Sequence, residues 1–160
     1  MSQEKTFRQI MDEVELQEKE LVFDTFTYDD AHALGEMLYA CAKEKGLAIA
    51  IDITRNDGQQ LYHAALPGSA ADNDQWMLRK MRVVRRFGHS SFYMNNKLQD
   101  AGMSIEEMSH VSSMEFAPVG GCFPVNVKNA GPVATVAVSG LPQHEDHAFL
   151  VGTLRKYLKK

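Results

Sequence analysis

The chain is poor in cysteine, has no excess of positive charge, and contains no long apolar run, and each absence excludes something. No stretch approaches the roughly 20 apolar residues of a membrane span, so no membrane association is expected. A formal net charge of -4 argues against a general nucleic-acid binder, which would be basic. Cys41 and Cys122 lie far apart and show no metal-site spacing. Cys41 falls in an apolar helical stripe and reads as an inert buried thiol. Met1 to Ile10 carry Glu4, Lys5 and Arg8 and no apolar segment, so no secretory signal is expected and the protein reads as reduced and cytoplasmic. No nucleophile elbow, phosphate loop, paired-carboxylate motif or Cys-x-x-Cys-His is present. What is there is ordinary for one globular domain over residues 1–160, with 44% hydrophobic and 24% charged residues.

Phe7, Ile10, Met11 and Val14 repeat at helical steps and predict a helix over 4–19, followed by a strand over 21–26. Thr27 with Asp30 marks the next helix start, and Leu34, Leu38 and Cys41 line one face before Gly46 stops it. Two hairpins are predicted, 47–54 with 59–66 around Asn56-Asp57-Gly58, and 122–127 with 132–138 around residues 128–131. Between them lie a helix over 70–87, a shorter one over 92–101, and a third opened by the Ser104/Glu107 capping box. Pro142 suits the first turn of a last helix. Two hairpins plus one strand, with helices before, between and after, predict an α/β (α+β) fold built on an antiparallel sheet.

Several residues invite a chemical reading and a plainer one. Gly120-Gly121 before a strand allows a ligand to approach the backbone closely, or serves a turn that needs glycine. The Ser139-Gly140 corner presents N–H groups to an anion at the mouth of the last helix, or simply turns the chain. Asp146 stabilises that helix's positive end. His144 and His147 share a helical face, but without a third ligand they make an incomplete metal site, so none is expected. His147 also fits the apolar stripe of a core histidine. His63, on a strand, faces a pocket or the core; His89 follows Gly88 at a helix exit. The row Arg79, Arg82, Arg86 can hold carboxylates or phosphates, or form a solvated or ion-paired face. Six of the nine methionines lie between Met77 and Met114, a pattern of adaptable packing or of an interface.

The run from Gly120 through Pro124, the Ser139-Gly140 corner and Asp146 resembles the C-terminal signature of the haem-degrading family, which includes GlcG-like and HbpS-like proteins. Residues 47–53, Gly58-Gln59, Asp74 through Lys80 and Gly88 through Ser91 extend the resemblance to most of the chain from about Leu34 onward, and place it in an uncharacterised branch. An extra Cys122-Phe123 precedes Pro124, which alters the local register. The resemblance implies a profilin-like antiparallel five-stranded sheet with helices on both faces, assembly into a homo-oligomer, and haem binding or degradation in some members. Two readings follow. In one, the protein binds haem or a similar anionic small ligand, docked by Arg79, Arg82, Gly120, Gly121, Ser139, Gly140 and Asp146, with His89 or His147 as the axial candidates. In the other, it is a non-catalytic assembly or partner-binding protein that keeps the fold.

Overall fold

Reciprocal hydrogen bonds at three helix starts set much of the chain's punctuation. Thr6, Thr27 and Ser104 each accept an N–H from three residues on, while Gln9, Asp30 and Glu107 bond back. They open α1 (Phe7–Glu20), α2 (Tyr28–Glu44) and α5 (Ile105–Ser109). A computed structural model describes residues 3–160. The other helices are α3 (Ala71–Phe87), α4 (Ser91–Ala101) and α6 (Gln143–Leu158).

The strands are β1 (Val22–Phe23), β2 (Ala50–Arg55), β3 (Gln60–Ala65), β4 (Cys122–Val127) and β5 (Gly131–Ser139). They form one five-stranded sheet in the order β1-β4-β5-β2-β3. Both predicted hairpins form, and β2 joins them by pairing antiparallel with β5 from Ala50↔Ser139 to Arg55↔Ala134. The expectation of an all-antiparallel sheet needs one correction. β1 pairs parallel with β4, through Val22↔Asn126 and Phe23↔Val127, so the sheet is mixed. A lone strand has no tight turn to fix its direction, and a parallel pair needs only a long connection, which the chain between β1 and β4 supplies. The strand expected over 21–26 is also reduced to two residues.

Alternation along the strands sends side chains to two different layers. Ile49, Ile51, Ile53, Phe123, Val125, Val136 and Val138 pack with Leu34 and Leu38 of α2 and with Leu150 and Leu154 of α6. On the opposite face, Ala50, Cys122 and Ala137 are small, so α3 settles close and buries Met77, Met81 and Val84 against them. Each of those side chains contributes about 1.5–3 kcal/mol by leaving water. α4 and α5 extend this second layer through Met94, Leu98 and Ile105, and α1 packs on α4. Cys122 is buried, as is usual for a free thiol, but Cys41 is only half-buried, with the Lys156 ammonium 3.8 Å from its sulfur. No helix among the described residues is long and apolar enough to cross a membrane.

Candidate functional site

At the end of β5 the chain must turn from the sheet into α6, and little room is left for the turn. Gly140 makes it at φ +150°, where a Cβ would stand 2.3 Å from the Ala48 carbonyl oxygen. Asp146, one turn into α6, reaches back, and its Oδ1 accepts the Leu141 N–H at 3.1 Å. Pro142 precedes the helix and has no side chain to cap it. The first-turn N–H groups of Gln143 and His144 therefore keep the orphan status of helix N-termini.

Lys80 enters this corner from α3. Its Nζ donates to the Val138 carbonyl oxygen at 3.1 Å and to Asp146 Oδ2 at 3.2 Å. Lys80 is 2% exposed and Asp146 1%. Gly121, at φ +124°, makes the arrangement possible, because a Cβ there would lie 2.6 Å from Lys80 Nζ and 2.7 Å from the Val138 oxygen. Gly120 opens space for α6 in the same way: its N–H donates to Gln143 Oε1 at 3.0 Å, and a Cβ would meet the Gln143 carbonyl oxygen at 2.4 Å. The result is a cleft of about 260 Å³ lined by Asn73, Trp76, Lys80, Val119, Ser139, Gly140, Leu141, Gln143 and Asp146. Asn73 Nδ2 donates to Ser139 Oγ at 3.3 Å across it.

Burial sets the electrostatics. Desolvation pushes the Lys80 ammonium below its ordinary pKa, and attraction to Asp146 offsets only part of that. Desolvation likewise raises the Asp146 carboxyl against the pull of Lys80 and the Leu141 N–H. Both members of the pair are thus displaced toward their neutral forms. The adjacent Cys122 thiol is pushed above the range in which it would ionise, so it offers no thiolate.

Of the sequence-derived candidates, Gly120, Gly121, Ser139, Gly140 and Asp146 converge on this cleft. The arginines do not. Arg79 stacks on Trp76, with 4.6 Å from its guanidinium carbon to the ring centroid, and donates to the Ser113 carbonyl oxygen at 2.6 Å. Arg82 donates to the Glu115 carbonyl oxygen at 3.2 Å. Both tie down the connection between α5 and β4. His89 Nδ1 bonds Glu18 Oε2 at 2.7 Å and its ring stacks on Tyr93. His147 is buried, with Nε2 on Gln17 Oε1 at 2.7 Å and its ring against Phe92 and Phe123. Its partner in the proposed two-histidine face, His144, is exposed. No metal-holding group of three or more His, Cys, Asp or Glu occurs among the described residues.

Lys80, Asn73, Trp76 and Gln143 were not among the sequence candidates. A signal for Lys80 was present, since it sits between Met77, Met81 and Val84 at helical spacing, a charge within an apolar stripe. Other hollows are larger but differently lined. One of about 550 Å³ lies beside α4 and α5, and one of about 410 Å³ beneath Arg55; neither is lined by a buried charge. His63, half-exposed, bonds Asp74 at 2.7 Å over a hollow that also includes Asp52, a buried carboxylate already bonded to Thr54 and Gln60.

A family model described as "Haem degrading protein HbpS-like" matches residues 26–155. A UPF0303 protein of Streptomyces avermitilis is 47% identical over 148 residues, covering 92% of this chain and 90% of the relative. The crystal structure of the Ybr137w protein superposes with a TM-score of 0.88 at 38% identity, covering 93% of this chain and 87% of that one. The crystal structure of a PduOC:heme complex shares the fold, with a TM-score of 0.69 at 12% identity, over 83% of this chain and 94% of that one. With the family model matched over residues 26–155 and a relative 47% identical over most of its length, the chain belongs to the family described as HbpS-like haem degrading proteins.

Proposed function

We propose that the protein binds a small anionic ligand, of the carboxylate class, in the cleft between α3, β5 and the start of α6. One observation carries this reading: a lysine ammonium, almost wholly buried, forms part of the cleft wall. Beside it stand the Ser139 hydroxyl, the Asn73 amide and a helix N-terminus whose first N–H groups have no side-chain cap. Such a set favours negative charge by hydrogen bonding and by the helix dipole together. The cleft is small, below the roughly 300–1,000 Å³ typical of pockets for drug-sized ligands.

Haem is the group that the family's description brings forward, and the described residues that line this cleft offer no ligand for its iron. The cleft lining contains no histidine, methionine, cysteine or tyrosine. His89 and His147 are each committed to a hydrogen bond and a stacked ring elsewhere, and the two arginines face a different loop. A haem would reach the cleft only through a propionate. The ligand reading therefore rests on the anion-binding corner and not on axial ligation.

Titration calorimetry with small carboxylates, acetate and pyruvate among them, tests this. Saturable binding is expected, weakened roughly ten- to a hundredfold in Lys80→Met, the loss of one hydrogen bond to a charged group. In parallel, haem titration of the wild type is expected to give no Soret shift that His89→Ala or His147→Ala abolishes. A shift lost in either variant would return the site to haem ligation.

Self-association belongs to the same reading. Met103 and Met114, in the methionine-rich middle of the chain, are exposed, as is Leu78 on α3. Light scattering at micromolar concentration is expected to give a multiple of 17.9 kDa, and the monomer mass would remove the oligomer from the proposal.

A further inference from the structure

Lys80 and Asp146 are costly to keep as mere packing. Both side chains are nearly out of solvent, and taking two charges out of water costs several kcal/mol per ion before their attraction is counted. Apolar residues of similar volume would hold α3 to α6 without that cost. The pair also requires glycine at 121. Of the three N–H donors of the ammonium, two are used, on Val138 and Asp146. The third meets no acceptor among the described residues, although the side chain lines an open cleft.

We infer that Lys80 is an amine nucleophile that forms an imine with a small 2-oxo acid held in the cleft, with Asp146 carrying the protons. This rests on the anion-binding reading above and adds the class of ligand. A 2-oxo acid has a carboxylate for the Ser139, Asn73 and helix-terminus donors and, one bond away, a carbonyl carbon for the amine. A cleft of about 260 Å³ restricts it to a small member of that class.

The step balances without any further reagent. The Lys80 ammonium gives a proton to the Asp146 carboxylate, which is within hydrogen-bond reach of it. The freed lone pair attacks the carbonyl carbon; the C–N bond forms and the C–O π pair moves to oxygen. Asp146 relays a proton from nitrogen to that oxygen, giving the carbinolamine. The nitrogen lone pair then expels the hydroxyl, which leaves as water with the proton from Asp146. The product is a protonated imine facing the Asp146 carboxylate, so the charges of the resting pair are restored. Burial suits the first transfer, because it displaces lysine and aspartate alike toward the neutral amine and the neutral acid.

Reductive trapping of the full-length protein tests the inference. With pyruvate and cyanoborohydride, intact mass is expected to show a single reduced adduct per chain, and peptide mapping to place it on Lys80. Acetone, a ketone without the carboxylate, is expected to label far more slowly. Lys80→Arg should abolish the adduct and Asp146→Asn should slow its formation. Mapping of the wild type decides the matter even where a variant folds poorly. Labelling spread over exposed lysines such as Lys128 and Lys159, or no labelling, overturns the inference. Calorimetry without reductant separates the two levels: pyruvate binding without an adduct refutes the imine alone, whereas no binding refutes the anion-binding reading as well.

Discussion

Replacing Lys80 with methionine is expected to destabilise the protein by about 3–5 kcal/mol, because it leaves the Asp146 carboxylate buried without its cation. Asp146→Leu should cost a similar amount by stranding the ammonium, and should also lose the bond that Asp146 makes to the Leu141 N–H. The double variant Lys80→Met/Asp146→Leu behaves differently, since it removes both charges and fills the space with apolar groups. Its stability is expected to recover most of either single loss, short of wild type by about 1–3 kcal/mol because the Leu141 N–H and the Val138 carbonyl still lack their partners. Urea unfolding followed by circular dichroism reads all four corners of this cycle, and the pairwise coupling should be several kcal/mol. Domains of this size hold roughly 5–15 kcal/mol in all, so either single variant should be visibly weakened. Single variants within about 1 kcal/mol of wild type would mean that water reaches the pair and screens it. A stable double variant that has lost carboxylate binding would show that the ion pair is kept for its ligand.

The sequence carries the fold more plainly than the site, and the reason differs from residue to residue. Turn and cap chemistry is local, so Asn56-Asp57-Gly58 and the Thr27/Asp30 and Ser104/Glu107 pairs could be recognised without knowing what lay around them. The pairing of Val22 and Phe23 with β4 joins segments about a hundred residues apart, and nothing in a two-residue edge strand records it. The cleft stands between these cases. Its glycines were legible because positive φ and close backbone approach admit little else, and so was the Ser139-Gly140 corner. Its cation was not. The spacing of Arg79, Arg82 and Arg86 shows that they share a side of α3, but periodicity cannot say what lies opposite, and the irregular loop over 110–119 claims Arg79 and Arg82. Lys80 stands among Arg79, Arg82, Arg85 and Arg86 in a basic run, although its spacing from Met77 and Met81 puts it on the buried side. Periodicity is equally silent for His147: it does lie on the apolar stripe of α6, and that stripe faces Gln17, Phe92 and Phe123 instead of a cavity.

That burial gives His147 a second large expected effect, on acid stability. The residue is 4% exposed, Nδ1 has no partner among the described residues, and its close neighbours Gln17, Phe92 and Phe123 carry no charge. Burial alone lowers its pKa from 6.5 to about 4. The sign follows from proton uptake. As the pH falls below 6.5 the unfolded chain protonates this histidine while the folded chain does not, so acid favours unfolding. The stability that His147 lends at neutral pH is therefore lost progressively between pH 6.5 and about 4, and amounts to about 3 kcal/mol. Asp146 acts in the opposite sense, since its raised pKa makes protonation easier in the folded state, but it is common to any pair of proteins that differ only at position 147. His147→Gln keeps a donor for Gln17 and removes the titration. Urea unfolding across the acid range should show the wild type losing about 3 kcal/mol more than the variant between pH 6.5 and about 4. Parallel curves over that window would mean that the ring takes its proton in the folded state, and that α1 and α4 open to water well before the protein unfolds.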